Sequence, residues 1–175
     1  MRLSLLRAPK APDANADIGR HTFRYAMFPH AGPLGPATVF SASDFNNPLA
    51  VLHAPHEGVQ RMQSPIRALT LGHGSSIVLD CLKRGEDDED VSLGDLPVRP
   101  GRSIIMRLYE SLGGQSSTTV KVIIPLKKVY KVNLLEDDLE EVPFDTVDVN
   151  GEKSQIITLT LRAFEVATYR LQLGK

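Results

Sequence analysis

With 175 residues, 42% of them hydrophobic, the chain can build one domain with a true core, which excludes a disordered tail. A formal net charge of −1 and dispersed Lys and Arg exclude a nucleic-acid binder, which needs clustered cations to displace counterions from phosphates. No run approaches the roughly 18 apolar residues of a membrane-spanning helix, and Met1–Leu6, soon broken by Pro9 and Pro12, is too short for a signal peptide.

Eight of the twelve prolines fall within residues 9–65, beside Gly19, Gly32, Gly35 and Gly58, so long regular elements are not expected there. Only Leu3–Arg7 and His21–Phe28 read as strands in this irregular third, the second through Phe23, Tyr25 and Met27 alternating with more polar neighbours. From about residue 66 onward the pattern is β. Ser76–Lys83 is an apolar run with β-branched residues. Ser103–Glu110 puts Ile104, Met106 and Leu108 on one face and Arg107 and Tyr109 on the other. Thr118–Ile124 alternates Val120, Val122 and Ile124 against Lys121, and Val129–Leu135 sets Tyr130, Val132 and Leu134 opposite Lys131. Ser154–Leu161 and Ala163–Leu173 close the series. Such period-two runs mean one buried face and one wet face. Gly113-Gly114 is expected to join two strands as a hairpin, and Asn150-Gly151 is a strong tight-turn signal because both positions tolerate positive φ. No amphipathic helix longer than three turns is expected. The prediction is an all-β fold, an antiparallel β-sandwich, as one domain over 1–175, with 1–65 irregular and 66–175 the β-rich core.

Ten of the 21 acids lie in two runs, Glu86–Asp90 and Glu136–Glu141. Dense like charge repels itself and holds water, so both runs are expected to be solvated loops, and neither has the spacing of a calcium loop. Cys81 is the only cysteine, which precludes an internal disulfide and favours a reducing compartment; in its apolar stretch it reads as a buried small hydrophobe. Retaining glycoside hydrolysis needs two carboxylates about 5–5.5 Å apart. Asp13 and Asp17 stand four apart in a Pro-rich turn, a spacing that allows a shared face without implying one, and Asx turns are the simpler reading. His53 and His56 are the closest of the five histidines (with His21, His30 and His73), but Pro55 breaks the helix that would align them and no second ligand pair follows. Gly72-His73-Gly74-Ser75 is not a nucleophile elbow, and neither a Walker loop nor a dinucleotide fingerprint is present. From the residues alone the chain is an all-β domain with no catalytic set of its own.

Several blocks carry a resemblance. They are Ser4–Asp13, Ala16–Ala26 with Pro29-His30, Phe45–Leu49, Leu82–Asp87, Arg107–Glu110 and Leu161–Thr168. Taken in order over nearly the whole chain, they resemble the C-terminal region of glycoside hydrolase family 38, the class II α-mannosidases, in its cytosolic and vacuolar branch. The resemblance implies an enzyme that removes terminal α-mannose with retention, using an Asp nucleophile and a zinc ion held by His and Asp residues. In the family those groups sit in an N-terminal barrel and an adjoining helical segment, and none maps onto this sequence. What it implies for this chain is a β domain packed on that barrel, with a loop near the sugar pocket, cytoplasmic or vacuolar in location. The partners implied are the catalytic barrel and mannose-containing glycans, with no nucleic acid and no membrane; a homo-oligomer is left open.

The resemblance also singles out Arg7, with Asp13 and Asp17 following it, as the edge of the substrate pocket. Arg7 could fork two bonds to a sugar hydroxyl or hold a carboxylate of the barrel; the alternative is an ion pair with Asp13 or Asp17. His21 and His30 are expected to be hydrogen-bonded structural groups. Two further roles stay open for the chain as a whole. One is a free-standing carbohydrate-binding sandwich, poorly supplied with aromatic faces because Trp is absent and Tyr numbers four. The other is an interaction scaffold. Met1 leads directly into the apolar Leu3–Leu6, a start that a natural domain and a truncated gene product would share.

Overall fold

The computed structural model describes residues 2–51, 69–72, 76–94, 98–149 and 152–174. Two compact units are distinct, 1–33 and 34–175. Among the described residues the second holds one helix, α1 (Pro36–Asn46), and nine strands. These are β1 (Leu69–Leu71), β2 (Ile77–Arg84), β3 (Ser103–Glu110), β4 (Ser116–Val122), β5 (Leu126–Val132), β6 (Asp138–Glu141), β7 (Asp145–Val149), β8 (Glu152–Leu161) and β9 (Val166–Leu173). They form a four-stranded sheet in the order β1-β4-β8-β7 and a five-stranded sheet in the order β2-β3-β9-β5-β6, antiparallel at every pairing. This is the expected sandwich.

Alternation builds the core, since successive strand side chains point to opposite faces. Met106 and Leu108 of β3, Val120 and Val122 of β4, Ile157, Leu159 and Leu161 of β8, and Ala167, Tyr169 and Leu171 of β9 make one buried cluster between the sheets. From β5 it is Val129 that enters this cluster, while Leu134, expected in the same strand, lies beyond it and is two-thirds exposed. Cys81 is half-buried, flanking a β-bulge between Leu79 and Cys81.

Gly113-Gly114 does not close a hairpin: β3 and β4 belong to different sheets, and the turn carries the chain from one layer to the other. At the second turn Val149 pairs with Glu152, as a hairpin requires; Asn150 and Gly151 lie outside the described residues, as do His53, His56 and His73.

The N-terminal third departs from expectation twice. Neither Leu3–Arg7 nor His21–Phe28 forms a strand. Alternation marks a segment that could be half-buried, but a strand exists only through a ladder partner, and here Leu3, Phe23, Tyr25 and Met27 are all exposed. The second departure is α1. Pro36 opens it, where the missing N–H costs nothing because first-turn donors are unpaired anyway. Asn46 and Asn47 close it, their side-chain amides donating to the carbonyls of Ala42 and Ser43 at 2.9 and 3.1 Å, and Pro48 follows.

Candidate functional site

The segment around Arg7, Asp13 and Asp17 folds on local bonds. The Asn15 N–H donates to Asp13 Oδ1 at 2.9 Å, an Asx turn, and the N–H groups of Ala16 and Ile18 donate to the carbonyls of Asp13 and Asn15. Asp17 takes a left-handed conformation (φ 58°). Its carbonyl meets His21 Nε2 at 2.8 Å, and the His21 ring stacks on Phe23 at 6.0 Å. His21 is thus a structural group, and His30 stacks on Phe28. Asp13 and Asp17 share one turn; Arg7 joins neither in an ion pair among the described residues.

A second constellation was not foreseen. The two acidic runs are not simply solvated loops, because Asp88 is fully buried and Glu136 nearly so. The connections β2–β3 and β5–β6 fold over the outer face of the five-stranded sheet and close on Arg170 of β9, whose side chain is completely buried. Arg170 Nη1 donates to Asp87 Oδ1 at 2.7 Å and to Ser103 Oγ at 3.0 Å, Nη2 donates to the Glu136 carbonyl at 2.8 Å, and Nε lies 3.3 Å from Asp138 Oδ1. Asp88 accepts from the Ser103 N–H and hydroxyl at 2.7 and 2.6 Å. Arg84 bridges Asp88 and Asp90, Arg99 bridges Asp87 and Asp138, and Lys83 bridges Glu86 and Glu136. Burial would push the Asp87 carboxyl upward, but the guanidiniums of Arg170 and Arg99 outweigh it and hold it below its ordinary value. Gly85 is required by close approach: a Cβ there would lie 2.8 Å from Asp88 Oδ1 and 2.9 Å from Arg170 Nη1. Like-charge repulsion loses because cations neutralise the runs, Lys83 and Arg84 from just before the first and Arg99 and Arg170 from farther along the chain. Only the density of acid was legible; the partner 83 residues downstream of Asp87 was not.

A third cluster clasps the other end of the same sheet. Glu110, almost fully buried, accepts from the N–H groups of Leu112, Gly113 and Phe164 at 3.0, 2.7 and 3.1 Å. The Ser76 hydroxyl and these N–H groups together lower its pKa to about 2. Glu165 is likewise lowered to about 2, by the Arg162 N–H first and then by the side chains of Lys131 and Arg162.

In both clusters the buried carboxylates of Asp88, Glu110 and Glu136 are committed to cations or to backbone N–H groups, an arrangement that fixes loops. Among the described residues no group of three or more His, Cys, Asp or Glu could hold a metal ion, and no helix is long and apolar enough to cross a membrane.

Two antiparallel sheets whose loops are pinned by internal ion pairs define a structural β-sandwich module. Residues 76–169 match the family described as the glycosyl hydrolases family 38 C-terminal beta sandwich domain, and the chain belongs to that family. It is similar to the alpha-mannosidase of Saccharomyces cerevisiae, 38% identical over 98% of this chain and 16% of that protein. Human alpha-mannosidase 2C1 is 36% identical over 78% of this chain and 12% of its own length, and alpha-mannosidase G of Dictyostelium discoideum is 29% identical over 96% and 14%. The chain thus spans less than a fifth of the relatives it matches.

Proposed function

We propose that this chain serves an α-mannosidase that trims terminal α-mannose from glycans, as a supporting domain that does not itself cleave the bond. The observation that carries the reading is the match along 98% of the chain to a yeast alpha-mannosidase six times its length, on a fold whose buried acids are committed to loop closure. The catalytic nucleophile and the zinc ion are proposed to lie in the catalytic barrel outside this chain, as the resemblance to the family implies. The location proposed is cytoplasmic or vacuolar, and the partner is the catalytic barrel of the same enzyme.

The 2–33 segment supports the reading. Leu3, Ile18, Tyr25, Met27 and Phe28 are each more than half exposed, and a run of apolar side chains left wet marks a surface that seeks a partner. Within that segment Arg7, Asp13 and Asp17 are proposed as the edge of the sugar pocket. Arg7 is free to fork onto a hydroxyl or a barrel carboxylate, and the Asx turn presents the two acids.

The test is hydrolysis of a chromogenic α-mannoside. The purified chain is expected to release nothing, while the intact enzyme carrying it turns over. Arg7→Ala in the intact enzyme is expected to raise KM more than it lowers kcat, as loss of a binding contact does. Mannose released by the chain alone would overturn the proposal, and an unchanged KM would remove Arg7 from the pocket.

A further inference from the structure

The outer face of the five-stranded sheet is covered in two places. The β2–β3 and β5–β6 connections cover the row at Arg170, and α1 flanks Val78 and Tyr109 across a groove of about 450 Å³. Between them runs a row set by the strand register: Cys81 opposite Arg107, Arg107 opposite Thr168, and Thr168 opposite Val132. Arg107 belongs to the outer face because its neighbours Met106 and Leu108 enter the core. It forms part of the wall of a second groove, of about 620 Å³, together with Lys83, Arg99, Glu136, Leu134 and Leu135.

The charges of this groove are unequally used. Lys83 is spent on Glu86 and Glu136, Arg99 on Asp87 and Asp138, and Asp137 on the Asn133 side-chain amide. Arg107 alone among the groove's cations pairs with no carboxylate among the described residues. Its Nε–H donates to Thr168 Oγ1 at 3.1 Å, which holds the guanidinium in place and leaves both Nη groups available. Beside it Leu134 and Leu135 are 66% and 83% exposed on the β5–β6 connection. An anchored fork next to two wet leucines fits a carboxylate flanked by apolar side chains, because a planar guanidinium takes a carboxylate in two parallel bonds.

We propose that this groove is a docking site, separate from the 2–33 segment, for an acidic side chain with apolar neighbours, supplied by the part of the α-mannosidase outside this chain. The inference rests on the reading of the chain as a supporting domain. The occupant follows from the charge left unmatched and from the share of the yeast relative, more than four-fifths, that these residues do not span. The Arg107–Glu110 block thereby divides its work: Glu110 clasps its own loops, and Arg107 faces outward.

Hydrogen–deuterium exchange of the intact enzyme against this chain alone tests the proposal. Amides of residues 133–137 are expected to exchange about tenfold more slowly in the intact enzyme, the scale of one charge-assisted hydrogen bond. Arg107→Ala in the intact enzyme is expected to return them to the rate of the chain alone, and Arg107→Lys to return them part of the way. Leu135→Asp, on a side chain too exposed to disturb the core, is expected to act as Arg107→Ala does. Protection of residues 2–33 in the intact enzyme without protection of 133–137, or protection of 133–137 that Arg107→Ala and Leu135→Asp leave unchanged, overturns the docking site and leaves the supporting role standing. Protection of neither segment overturns both.

Discussion

Removing the Arg170 guanidinium would leave Asp87 and Asp138 to Arg99 alone, and would take the donor from the Glu136 carbonyl and one neighbour from the buried Asp88 under two loops. A buried ion pair adds little net stability as a pair, because desolvation offsets attraction, but breaking one from a single side leaves an uncompensated charge. Arg170→Ala is therefore expected to cost about 3–5 kcal/mol in urea unfolding. Arg170→Lys should recover only part of this, since one ammonium cannot reach Asp87, Ser103 and the Glu136 carbonyl in the directions the fork does. A loss below about 1 kcal/mol, the range of exposed pairs, would mean that the cluster is solvated after all. Glu110 and Glu165 make a separate, pH-dependent contribution. Their folded pKa values of about 2 lie below the roughly 4.3 of an unfolded Glu. The stabilisation is therefore complete above about pH 5 and is lost as pH falls toward 2. The urea midpoint is expected to be flat from pH 7 to about 5 and to fall below it, and less steeply in Glu110→Gln, which removes one of the two groups. An equally steep fall in that variant would place the acid sensitivity elsewhere.

At the scale of elements, the β3–β4 connection is where sequence and structure part most instructively. Two adjacent glycines between strand-like runs read as a hairpin, yet β3 and β4 lie in different sheets. Gly113 is needed for another reason: its φ is +84°, and a Cβ there would lie 2.6 Å from the Phe164 ring of the β8–β9 turn. Gly113→Ala is expected to destabilise by about 1–3 kcal/mol through the left-handed backbone. Gly114→Ala, with open space where its Cβ would stand and φ outside the left-handed range, should be close to neutral. Equal effects at the two positions would contradict the assignment. The strands themselves were legible because alternation is local: Met106 with Leu108, and Val120 with Val122, enter the core as their spacing predicts. What alternation cannot report is what covers the opposite face. Arg170 and Thr168 occupy outward positions of β9, yet both are buried, Arg170 by loops that begin tens of residues upstream. α1 was missed because prolines on both sides masked a helix whose proline sits at its first position.

At the scale of the molecule, the strands between Leu69 and Leu173 were legible as a sandwich from their pattern, whereas Arg7, Asp13 and Asp17 were singled out by resemblance, and of that reading the structure adds the Asx turn and its neighbours. The two units differ in how they hold together. The 34–175 unit has a continuous core between its sheets, while the 1–33 unit has turns, two ring stacks and an exposed apolar surface. Burying apolar area is worth about 25 cal/mol per Å². Side chains such as Met27 and Ile18, at 82% and 76% exposed, therefore gain by meeting any apolar partner. In the intact α-mannosidase the proposed partner is the catalytic barrel; in the chain alone the available partner is a second copy. Light scattering of the purified chain is therefore expected to show concentration-dependent self-association, and a chain lacking residues 2–33 is expected to run as a monomer. Retention of the sandwich in that shortened chain is checked by far-UV circular dichroism and by an unchanged urea midpoint, because the buried cluster draws no residue from 2–33. A full chain that stays monodisperse at every concentration would mean that this apolar surface is satisfied within the chain, and the segment would then lose its claim to face the barrel.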